Sequence, residues 1–123
     1  MPKIRLLKTG EVSEQSIHKA AIQWARMHPA IEPYVIHVPN EGQRTGRYGN
    51  LLKGLGMRPG VAVLIALPRH DYHGAWIELN SRLGTLSEAQ RDFLADMRKE
   101  NYFTAVCYSI AEALATMQWY CFG

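Results

Sequence analysis

Seven consecutive apolar residues, Val61-Ala62-Val63-Leu64-Ile65-Ala66-Leu67, are bounded by Gly60 and Pro68. No other segment constrains the fold as tightly. A run of this length, rich in β-branched residues and closed by breakers, reads as a strand buried on both faces. Pro68 to Gly74 is a short connection into Ala75-Trp76-Ile77-Glu78-Leu79. So few residues between two strands predict an antiparallel hairpin.

Helical signals surround this hairpin. Ser13 suits an N-cap, with Val12 and Ile17 as a hydrophobic staple. Ile17, Ala20, Ala21, Trp24 and Met27 follow at helical spacing, and Pro29 stops the run. Tyr34 to Pro39 reads as a strand. Tyr48, Leu51 and Leu52 suggest a short helix. Thr85-Leu86-Ser87-Glu88 has capping-box spacing before Leu86, Ala89, Phe93, Leu94 and Met97. Tyr102 to Tyr108 reads as a strand, and Ser109-Ile110-Ala111-Glu112 is a second capping box. The order is α-β-α-β-β-α-β-α, a mixed α/β domain with a small sheet flanked by helices. A length of 123 residues fits one domain, residues 1–123, with 1–10 as a loose leader.

Composition excludes little. No apolar run approaches the roughly 20 residues of a membrane span, so a cytoplasmic protein is expected. A net charge of +3 permits a polyanionic partner without requiring one. Cys107 and Cys121 lack metal-ligand spacing and read as buried thiols.

Two polar residues fall on apolar patterns. Glu78 follows Trp76 and Ile77 in a central strand, where a carboxylate needs a partner; alternatively the strand ends there and Glu78 is solvated. Gln90 stands four residues after Leu86 in a stripe with Phe93 and Met97. It belongs either to a site or to the boundary, bonded to backbone.

An ordered set of pieces covers most of the chain. These are Ser13-Glu14, Trp24, His37-Val38-Pro39-Asn40-Glu41-Gly42 with Arg44, Leu52-Lys53 and Gly56-Met57-Arg58-Pro59-Gly60-Val61. Tyr72-His73-Gly74, Trp76-Ile77-Glu78, Leu86-Ser87, Gln90 and Tyr102 follow. In this order they resemble a stand-alone VRR-NUC domain of the PD-(D/E)XK nuclease superfamily. The resemblance implies a restriction-endonuclease-like core and divalent-metal phosphodiester hydrolysis with Mg²⁺ or Mn²⁺. It implies Glu78 and the Leu79 backbone carbonyl as metal ligands, and Glu14 and Gln90 as outer members of the site. It also implies a homodimer.

The chain departs from the family pattern twice. Gly-Val-Pro-Asp-Leu reads Gly60-Val61-Ala62-Val63-Leu64, so Val63 takes the aspartate position. Glu-x-Lys reads Glu78-Leu79-Asn80, so Asn80 takes the lysine position. Valine ligates no metal, and asparagine carries no charge. Impaired catalysis with retained DNA binding is expected, through Asn40, Arg44, Arg47, Lys53 and Arg58, on branched or single-stranded DNA. The alternatives are an active endonuclease with relocated ligands, and a non-catalytic protein-interaction module.

Overall fold

A computed structural model describes residues 13–38, 61–81 and 85–123. Helix α1 spans Glu14–Arg26, and a short 3-10 turn, Glu32–Tyr34, leads into strand β1, Val35–Val38. Strands β2, Val61–Ile65, and β3, Ala75–Leu79, form the hairpin. Helix α2 is Glu88–Lys99, strand β4 is Phe103–Cys107 and helix α3 is Ile110–Phe122. The leader 1–10, the staple residue Val12 and the short helix around Tyr48 to Leu52 lie outside the described residues.

The sheet order is β1-β2-β3-β4. The first two pairings are antiparallel and β3–β4 is parallel. A parallel neighbour needs a crossover, which α2 provides. The apolar run extends only to Ile65 as strand, and Ala66 still donates its N–H to the Tyr34 carbonyl.

Strand alternation sorts the core into two layers. Val61, Val63 and Ile65 of β2 and Ala75, Ile77 and Leu79 of β3 face one side. They pack with Ile17 and Ala21 of α1 and with Ala113, Met117 and Tyr120 of α3. Ala62 and Trp76 face the other side, with Leu94 of α2. The sheet is thus covered by α1 and α3 on one face and by α2 on the other.

Several element ends differ from the sequence expectation. Met27 is not part of the α1 stripe: it is 74% exposed, and Ala25 is buried instead. The helix ends one residue before Met27, so that position leaves the face. The box before α2 is Ser87 with Gln90, two residues later than the Thr85–Glu88 reading. Ser109 caps α3 as expected, but the Glu112 carboxylate accepts from the Tyr108 N–H. Cys107 and Cys121 are buried free thiols.

Candidate functional site

Glu78 sits on the central strand β3 between Ala62 of β2 and Val106 of β4. It is 4% exposed, so the reading of a solvated strand end is corrected: pairing continues past it through Leu79. Asn80, also buried, donates its N–H to the Cys107 carbonyl at 2.9 Å. Alternation puts the Glu78 and Asn80 side chains on one face.

Trp76, two residues before Glu78, shares that face as well. Its indole Nε1–H donates to Glu78 Oε2 at 2.6 Å. The indole is held in place by Phe93 of α2, edge-on with ring centroids 4.9 Å apart. The sequence signal for this contact was the Trp-Ile-Glu spacing itself, since positions i and i+2 of a strand lie together.

Glu14 arrives from the first turn of α1. Its carboxylate accepts from the Ser81 backbone N–H just beyond β3, close enough to Glu78 for charge repulsion. Burial pushes the Glu78 carboxyl above the usual carboxylate range. The Trp76 hydrogen bond partly offsets this, and Glu14 adds to the rise. Burial also raises Glu14, against the Ser81 bond. Two carboxyls, both displaced upward, therefore meet where α1 crosses the end of β3.

The other expected residues are placed differently. Gln90 caps α2: its Oε1 accepts from the Ser87 N–H at 2.9 Å. Leu86 precedes the N-cap, so Leu86 and Gln90 form no helical stripe. Val63 lies on the opposite side of the sheet from Glu78. It is fully buried among Ile17, Ala21 and Ile77, in the layer under α1 and α3. The β2 residue directly across from Glu78 is Ala62. The basic residues Arg44, Arg47, Lys53 and Arg58, and Asn40, lie outside the described residues.

One pair had no sequence signal beyond the position of His18 one turn after Glu14. His18 Nε2 of α1 and His37 Nδ1 of β1 are 2.5 Å apart. Burial, and the neighbouring His37, lower the His18 pKa.

A solved structure of a VRR_NUC domain protein superimposes with a TM-score of 0.71, covering 89% of this chain and 88% of that one. The chain has the VRR_NUC fold. Sequence identity over the match is 21%. No protein-family profile and no curated protein matches the sequence. The helix–sheet–helix layering and the four-stranded sheet are those of a restriction-endonuclease-like core.

The VRR-NUC resemblance implies a divalent metal, and the donor set tests that implication. Hard divalent cations take six or more oxygen ligands, with carboxylates supplying the charge. Glu78 offers one carboxylate, with one oxygen bonded to an indole, and Glu14 offers a second, bonded to the Ser81 N–H. Across the hairpin stands the methyl of Ala62. No group of three or more His, Cys, Asp or Glu side chains is gathered for a metal among the described residues. Among the described residues, this donor set falls short of a catalytic Mg²⁺ or Mn²⁺ centre.

Proposed function

We propose that this chain is a nucleic-acid-binding domain of VRR_NUC fold whose phosphodiesterase chemistry is lost or severely weakened. The observation that carries the reading is the surrounding of Glu78: an indole donor on one oxygen and an alanine across the hairpin. Asn80 stands where the resemblance implies a lysine, so no cation is supplied there to balance charge on a phosphate. Mg²⁺ or Mn²⁺ would be required only if activity persists through relocated ligands.

The ligand class is DNA, branched or single-stranded, contacted through Asn40, Arg44, Arg47, Lys53 and Arg58. The domain acts as a homodimer in the cytoplasm. None of its described helices is long and apolar enough to cross a membrane.

Labelled single-stranded, duplex and four-way DNA, incubated with the protein in Mg²⁺ or Mn²⁺, separates the readings. A mobility shift without cleavage is the expected result. Cleavage that disappears in Glu78→Ala would establish an active enzyme instead. Neither shift nor cleavage would favour a protein-binding role. Light scattering on the same sample checks the dimer.

A further inference from the structure

The hairpin register decides which residue is missing from the Glu78 site. The turn is tight: Arg69 bridges Tyr72, and His70 and Asp71 both have positive φ, 52° and 68°. Two central residues of this kind make the favoured two-residue hairpin turn. Unbroken pairing from that turn would bring Val63 opposite Glu78.

The ladder does not run unbroken. Residues 66–68 separate Ile65 from Arg69, whereas only His73 and Gly74 separate Tyr72 from Ala75. The first strand holds one residue more, as in a β-bulge. Pro68 lies in this stretch and has no N–H to give a ladder. From Ile65 onward the partners are shifted by one, so Ala62 pairs with Glu78 and Val63 with Ile77. A shift of one residue moves every side chain to the other face.

We propose that the Glu78 site is one carboxylate short of a divalent-cation site, and that the missing ligand belongs at position 62, not 63. This rests on the functional reading above. Residues directly opposite in an antiparallel pair have Cβ atoms roughly 4.5–5.5 Å apart. An aspartate replacing Ala62 brings its carboxylate to that of Glu78, at a spacing that oxygen–metal bonds of about 2.0–2.6 Å can bridge. A metal held by Oε2 would take the place of the Trp76 hydrogen bond there. An aspartate replacing Val63 enters the apolar layer of Ile17, Ala21 and Ile77, where no carboxylate stands among the described core residues.

Mn²⁺ binding, followed by the loss of the free-ion electron paramagnetic resonance signal, tests this without DNA. Ala62→Asp should bind Mn²⁺ at least about tenfold more tightly than the unmodified chain, in line with the effect of ligand-shell changes on affinity. Adding Glu78→Gln should abolish the gain, and Val63→Asp should show none. A folded Ala62→Asp variant with unchanged Mn²⁺ affinity overturns the proposal. So does a gain confined to Val63→Asp, or an unmodified chain that already binds as tightly through Glu78. Should Ala62→Asp not fold, Ala62→Cys provides a small uncharged replacement. Cd²⁺ should then give a thiolate charge-transfer band, absent in the unmodified chain and weakened by Glu78→Gln; no such band overturns the proposal. DNA cleavage by the unmodified chain would sink the functional reading by a different measurement.

Discussion

The Trp76 indole donates its N–H to Glu78 Oε2 at 2.6 Å, inside an apolar layer that includes Ala62, Leu64, Phe93, Leu94 and Val106. That bond lowers the buried carboxyl's pKa against the larger effect of burial. Trp76→Phe keeps an aromatic ring against Phe93 and removes the donor. The Glu78 carboxyl should titrate still higher by carbon-detected NMR. Stability should fall by about 2 kcal/mol, the range for leaving a buried acceptor without its donor.

The pH dependence follows from the same carboxyl. Glu78 and Glu14 both have folded pKa values above the ordinary carboxylate value. The folded state therefore holds protons that the unfolded state has released. Stability from these groups falls as pH rises from the ordinary carboxylate value through the raised folded value. Glu78→Gln should flatten that fall. It should raise stability at pH 8 above that of the unmodified chain, because the buried charge is gone. Urea denaturation at several pH values between 4 and 8 checks the sign.

Gln90 provides a test of role. Its side chain closes the capping box with Ser87. Gln90→Ala and Ser87→Ala should each cost roughly 1 kcal/mol by thermal or urea denaturation. Neither should change Mn²⁺ binding by the Ala62→Asp variant. A metal-affinity loss in Gln90→Ala would return this residue to the site.

Gly74 sits where no side chain fits. A Cβ there would lie 2.9 Å from the Ile65 carbonyl oxygen and 3.3 Å from the Tyr102 ring. The first contact is backbone, at the last paired residue before the stretch that shifts the hairpin register, and it cannot give way cheaply. Gly74→Ala should destabilise by about 1–3 kcal/mol, measured by urea denaturation.

DNA affinity should fall steeply with salt, with log K linear in log salt. Arg44→Ala and Arg47→Ala should each reduce the slope by about 1. Fluorescence anisotropy across a salt series reads this directly, and a salt-independent affinity would count against phosphate contact.

The sequence by itself determined the type and order of the described helices and strands, and a small sheet covered by helices. The apolar run 61–67 could bury itself only as an inner strand, and its short link to Ala75 could close only an antiparallel hairpin. The Ser13 and Ser109 signals specify caps, whereas the Thr85 reading began α2 too early: Thr85 and Ser87 both have a glutamate or glutamine three residues on, and the structure uses Ser87. Glu78 stood out as a polar residue in an apolar strand. Motif order supported the VRR-NUC resemblance, and the superposition shows the fold.

Tertiary structure alone decided what surrounds Glu78. Motif spacing assigned the lost aspartate to Val63, but the side chain's face depends on cross-strand register. One extra residue in the hairpin arm changes that register, and strand alternation makes the change total: Val63 turns into the core and Ala62 turns to Glu78. The approach of Glu14 was equally hidden, since it depends on α1 crossing the end of β3 far along the chain. Linear spacing encodes which side chains exist and how often they recur. The pairing of distant backbone segments fixes which of them meet.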